Sequence, residues 1–162
     1  MTLPNIERHS ARRCAVTEPL IMSSPSDYAD AFEVTVDEAD DRTAEQVVRT
    51  GLEKVSPVMY PALLMAHRHV LGFRLGPRSS PDHVMGWRVV TSEPQLCRLE
   101  ADGPLMAGTM VARRVDAVTA RLTTSVRYRR RAARIIWTIV GPIHRRAAPH
   151  LMDLAAAPPP SA

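Results

Sequence analysis

Residues 118–154, VTARLTTSVRYRRRAARIIWTIVGPIHRRAAPHLMDL, decide the fold. Through the first eleven of them Val118, Ala120, Leu122, Thr124, Val126 and Tyr128 alternate with Thr119, Arg121, Thr123, Ser125 and Arg127. This period of two predicts a half-buried strand whose inner face carries no fixed charge. The period then changes: Ala132, Ile136, Ile139, Val140, Ile143, Ala147 and Leu151 recur at helical spacing, which predicts a helix over 132–155, about 36 Å long at 1.5 Å per residue. Pro142, following Gly141, removes one helical N–H and crowds a carbonyl, predicting a bend there and a second break at Pro149. A strand that runs straight into a long helix predicts a curved antiparallel sheet closed by that helix. The concavity is then either filled by helix side chains or open to an apolar ligand.

Working back along the chain, three more strands are expected at 86–93, 95–101 and 105–115. Asp102-Gly103 supplies a hairpin turn and Asp116-Ala117 the turn into the last strand. Further upstream, Thr43-Ala44-Glu45-Gln46 has the spacing of a capping box and opens a helix with an apolar stripe of Ala44, Val47, Val48, Gly51, Leu52 and Val55. Ser56-Pro57 ends it. A second helix carries Met59, Leu63, Ala66, Val70 and Phe73, and Gly72 and Gly76 mark its end. Before both helices, AFEVTV (31–36) alternates as a strand, followed by an acidic loop at 37–41. Residues 1–26, with Pro4, Pro19 and Pro25 and no period, read as a poorly ordered leader, and the Ala/Pro run 155–162 as a disordered tail. The expectation is one α+β domain over 27–154.

The composition agrees with a single soluble domain: 162 residues with 45% hydrophobic and 23% charged suffice for a core without repeats or staples. Aromatics are few, and Met59, Met65, Met85, Met106 and Met110 lie in apolar surroundings, so adaptable thioethers do part of the packing. Cys14 and Cys97 are far apart, which suits neither a disulfide framework nor a thiolate metal site and fits a reducing, cytoplasmic setting. No signal-peptide pattern is visible, and the apolar run 135–143 is far short of the roughly 20 residues that cross a bilayer. The net charge of +4 hides an asymmetry, since residues 117–152 hold eight arginines and no acid. That excess belongs to the last strand and helix.

The order of strand, two short helices, antiparallel strands and long helix resembles the START-like, or polyketide-cyclase, superfamily with its helix-grip fold. DYADAF (27–32), ALLMAHRHVLGFRLG (62–76), RLTTSVRY (121–128) and GPIHRR (141–146) resemble one uncharacterised branch of it. The resemblance implies a binder of lipid- or polyketide-like molecules, or an aromatase/cyclase. It also implies a domain found alone or joined to an NAD(P)-binding oxidoreductase domain, and hence an oxidoreductase as a partner. The chain carries no GxGxxG of its own, and no cofactor is expected. Arg129 to Ala132 depart from the Asn or Gly of that branch, so a tight turn is not predicted there.

Candidate chemistry is sparse. His144 falls one turn after Val140 and faces the sheet in this register, with Tyr128 and Thr124 near it, giving an imidazole and two hydroxyls at one end of the concavity. These are the candidate catalytic groups for a cyclase- or dehydratase-like reaction, although a lone helical histidine is more often packed than catalytic. His67 and His69 lie two apart, and His144 and His150 six apart, neither of which suits a metal. Cys97 reads as a small hydrophobe. The expected ligand-binding wall is Trp87, Leu99, Val111, Leu122, Thr124, Val126, Ile136, Val140 and Ile143. Arg127, Arg129, Arg130, Arg131 and Arg134 form a patch for an anionic partner or surface. With no aromatics interleaved beyond Tyr128 and Trp137, this patch does not read as a nucleic-acid site, and at most as a peripheral membrane contact. Two functions follow: a binder of a small apolar or amphipathic ligand, and a non-enzymatic module docking through its Arg-rich helix.

Overall fold

The computed structural model describes residues 10–36, 39–53 and 55–157. Its centre is an eight-stranded, fully antiparallel, curved and unclosed sheet in the order β1-β2-β8-β7-β6-β5-β4-β3. The strands are β1 (Arg12–Cys14), β2 (Tyr28–Thr35), β3 (Ser79–Ser80), β4 (His83–Val84), β5 (Trp87–Glu93), β6 (Leu96–Asp102), β7 (Met106–Arg114) and β8 (Thr119–Tyr128). Two helices, α2 (Ala44–Glu53) and α3 (Met59–Met65), follow β2, and α4 (Arg131–Ala156) crosses the concave face. The expected helix-grip, α+β architecture is therefore present.

Local chemistry explains each element. The capping box at the start of α2 forms as read: Thr43 N–H donates to Gln46 Oε1 at 2.8 Å and Gln46 N–H to Thr43 Oγ1 at 3.2 Å. The alternation in β6 to β8 buries Cys97, Leu99, Met110, Thr124 and Val126. Gly108 on β7 is required by packing, because a Cβ there would lie 2.7 Å from the Trp87 ring and 3.0 Å from that of Phe73. The missing side chain lets those two rings, 5.2 Å apart and edge-to-face, lie against the sheet.

Three expectations are corrected. The segment expected to be a leader contributes to the fold within its described part: β1 pairs with β2, and a short helix α1 (Pro19–Met22) places Ile21, 4% exposed, in the interior. Glu18, whose side chain is 2% exposed, accepts two hydrogen bonds from Arg113, at 2.7 and 2.8 Å. Thr17 Oγ1 accepts from Arg121, which also binds Glu33. Arg113 and Arg121 share the outer face of the sheet with Val111 and Thr123, both 1% exposed, so α1 and the residues before it seal that face. The segment was missed because a three-residue edge strand and a four-residue helix are too short to show a period. Residues 1–9 and 158–162 lie outside the described residues, as do 37 and 38 of the acidic loop; Ala155 and Ala156, read as tail, close α4.

The second correction concerns the break expected at Pro149: α4 continues as one helix of 26 residues with Pro142 and Pro149 inside it. Each proline deletes only one backbone bond, and burial along the rest of the helix holds it together. The third concerns its phase. The buried positions are Ala133, Trp137, Gly141, Ala148, Met152 and Ala155, whereas Ile135, Ile139 and Ile143 are 63–68% exposed. Small residues bring α4 close to its neighbours: a Cβ on Gly51 of α2 would sit 2.8 Å from the Leu151 carbonyl and 2.9 Å from the Ala155 methyl.

The candidate pocket and its histidines

Between the concave face, α2, α3 and α4 the packing stops short and leaves a cavity of about 160 Å³. Sheet residues Trp87, Met110, Leu122, Thr124 and Val126 line one side, α2 contributes Val48 and Leu52, and α4 contributes Trp137, Val140 and Leu151. Ile143 lines it while 63% exposed, which places that side chain at the mouth. The wall is mostly apolar; its polar members are His67, His144, Thr124 and the strand residues Arg113, Arg114 and Arg121.

Of the nine residues expected to bind a ligand, Trp87, Leu122, Thr124, Val126, Val140 and Ile143 line this cavity. Leu99, 1% exposed, is enclosed in the solid core, and Ile136 packs against that core away from the void. Val111 points to the opposite face, under α1; in a strand of period two its even-numbered neighbours Met110 and Ala112 are the ones that face the cavity.

His144 reaches the sheet as expected, but its partners are different ones. Its Nε2 lies 3.1 and 3.3 Å from the two carboxylate oxygens of Asp30, a side chain with no solvent exposure. Tyr28 O–H donates to the same carboxylate at 2.6 Å. The Tyr28 and Trp137 rings lie tilted at 5.1 Å, and those of Trp137 and His144 tilted at 5.5 Å. Burial and the Asp30 hydrogen bond raise the Tyr28 pKa, so the phenol remains the donor. Tyr128 is not part of the cavity lining; its backbone N–H is held by Asp27 Oδ2 at 2.6 Å. Asp30 stands directly across from Thr124 in the β2–β8 register, so β2 delivers the carboxylate that the last strand lacks. The signal was present as Tyr28-Ala-Asp30, two residues apart on one strand face, but a buried aspartate cannot be told from a surface one without its partner on α4.

His67 was dismissed as a metal ligand, and the structure gives it another place. After α3 the chain makes one π turn, Ala66–Val70, in which Leu71 N–H bonds the Ala66 carbonyl at 2.9 Å. Single π turns shift the phase of a helix by one residue and recur at functional sites. In this stretch Met59 and Val70 are exposed and His67 lies in the cavity wall. Trp87 Nε1–H donates to His67 Nδ1 at 3.5 Å with its ring edge-on to the imidazole at 5.7 Å, and Phe73 lies tilted against it at 6.1 Å. Burial, with a smaller contribution from His144, lowers the His67 pKa to about 4, so the ring is neutral at pH 7. Cys97 is fully buried and its thiol is pushed up to about 12 by burial, which leaves it an inert hydrophobe. Among the described residues no three His, Cys, Asp or Glu side chains group as metal ligands, and no helix is long and apolar enough to cross a membrane.

The arginines of the expected patch, Arg127, Arg129, Arg130, Arg131 and Arg134, are all exposed, and Arg129 pairs with Asp102. Arg127 lies near the end of β8, Arg129 and Arg130 join it to α4, and Arg131 and Arg134 begin α4, the helix that carries the exposed Ile135 and Ile139.

The family model "Protein of unknown function (DUF2867)" matches residues 22–151, most of the chain, and the chain belongs to that family. No curated protein matches the sequence.

Proposed function

We propose that this DUF2867 protein is a START-like domain that binds a small apolar or amphipathic molecule between the sheet and α4. The supporting observation is the cavity itself: about 160 Å³ of space walled mostly by apolar side chains and reached past Ile143. A void of this kind lowers stability in proportion to its volume when it is empty. A cavity near 150 Å³ takes one six-membered ring, so the enclosed part of the ligand is a ring or short branched chain. A longer lipid- or polyketide-like ligand would extend through the mouth. Native mass spectrometry of freshly purified protein, followed by denaturing extraction, tests this; a stoichiometric small molecule is expected. Ala147 lines the cavity, so Ala147→Leu should fill it and abolish the adduct. An adduct that survives this substitution would place the ligand elsewhere.

A second reading, docking on an anionic membrane surface, is favoured by one specific observation. Arg131, Arg134, Ile135, Ile139, Ile143 and Arg146 are all exposed along α4, an apolar stripe with cationic ends, as in interfacial helices. Flotation with anionic liposomes is expected at low salt and to weaken at high salt. An oxidoreductase partner, which the START-like resemblance implies, would use the same exposed face.

A further inference from the structure

The hydrogen bonds on the far side of each imidazole assign the tautomers of the two cavity histidines. An indole N–H only donates, so His67 Nδ1, facing Trp87 Nε1, is the acceptor and the ring proton lies on Nε2. A carboxylate only accepts, so His144 Nε2, between the two Asp30 oxygens, carries a proton, and in the neutral ring Nδ1 keeps its lone pair. Among the described residues neither His67 Nε2 nor His144 Nδ1 has a hydrogen-bond partner. Both residues line the one cavity, His67 with its N–H at Nε2 and His144 with its lone pair at Nδ1. Behind the base stands a fully buried carboxylate, itself held by the Tyr28 hydroxyl at 2.6 Å.

We propose that the cavity transfers protons at the carbon next to a carbonyl in a small, largely apolar ketone, with His144 as the base and His67 as the donor to the carbonyl oxygen. This rests on the pocket being a ligand site, as proposed above. In the step, the C–H bond next to the carbonyl breaks and its electron pair becomes the C=C bond of the enolate. The carbonyl π pair moves onto oxygen, where the His67 Nε2 proton meets it, and the proton passes to His144 Nδ1. The resulting imidazolium lies against the Asp30 carboxylate. Return of the proton to the same carbon gives exchange, and return to the γ carbon of a β,γ-unsaturated ketone gives isomerisation; neither needs an oxidant or reductant. A neutral imidazole suits the donor role because it is matched to an enolate oxygen, and burial keeps His67 in that form. Asp30 and Tyr28 are positioning residues: they hold the tautomer and orientation of His144.

Cyclohexanone, whose ring suits the cavity, is the probe. Its hydrogens next to the carbonyl exchange in D2O and are followed by proton NMR, while saturation transfer on the same sample reports binding. The wild-type protein is expected to accelerate exchange saturably, and cyclohexane, which lacks the carbonyl, should suppress it by competition. His144→Gln should lose about a hundredfold of the rate, in the range of general-base catalysis, and still bind; His67→Gln should lose rate with binding kept. Asp30→Asn should lower the rate at saturating cyclohexanone while binding stays, a split that a merely structural role would not produce. Cyclohexanone that binds yet exchanges no faster than with equal free imidazole overturns this proposal and leaves the pocket standing, as does His144→Gln at the wild-type rate. Failure of both cyclohexanone and cyclohexane to bind overturns the pocket as well. Should His144→Gln not fold, competition by cyclohexane on the wild type decides, since exchange at surface groups would not respond to it.

Discussion

His67 carries a consequence for stability that needs no ligand. Its pKa falls from 6.5 to about 4 in the fold, so between those values the unfolded chain binds a proton that the native protein refuses. Stability is therefore unaffected above pH 6.5 and declines as pH falls towards 4, by at most about 3 kcal/mol. Chemical denaturation in steps across that interval should show the decline in the wild type and its absence in His67→Gln. Hydrogen bonds from Arg113 and Arg42 also lower the pKa values of Glu18 and Asp40, so their contribution is lost as pH falls as well, but at more acidic pH and in both proteins. Glu18→Gln leaves part of the pairing of buried Glu18 with the partly exposed Arg113 unmade and should cost about 1–3 kcal/mol, read as a lower denaturation midpoint.

At the scale of elements, the α2–α4 contact and the π turn shape the pocket. Gly51→Ala drives a methyl into the Leu151 carbonyl and the Ala155 methyl, neither of which is the flexible end of a long side chain, so the helices must part. A loss of about 1–3 kcal/mol is expected from such overpacking, together with a weaker adduct, because Gly51, Leu151 and Ala155 all line the cavity. Calorimetry and native mass spectrometry read the two effects separately. At the junction of β8 and α4, replacing Arg129, Arg130 and Arg131 by Gln should abolish low-salt liposome flotation while ligand binding continues. Loss of both would mean that the substitutions disturb the helix rather than its surface. The phase of α4 shows why a helix face is hard to read from hydrophobicity alone. Isoleucines advertise a buried stripe, but close approach selects Ala133, Gly141, Ala148 and Ala155, which carry little hydrophobic signal.

Over the whole molecule, the N-terminal segment and α4 clamp opposite faces of one sheet, and Ala11 N–H bonds Asp153 Oδ1 at 2.6 Å where the two meet. Alternation, capping and turn chemistry are local properties, so the sequence by itself determined the β5–β8 strands, the start of α2 and the long final helix. It also determined that the inner face of β8 carries no charge, a precondition for an apolar cavity. Tertiary structure alone decided the rest, because those features depend on pairs distant in the chain. Asp30 and His144 are 114 residues apart and Glu18 and Arg113 are 95 apart, and no period in either segment encodes the other. The π turn that brings His67 into the wall, and the volume left between sheet and helices, arise where elements of fixed shape fail to fill space together. A sequence specifies the shapes of its elements; the gap between them exists only once they are packed.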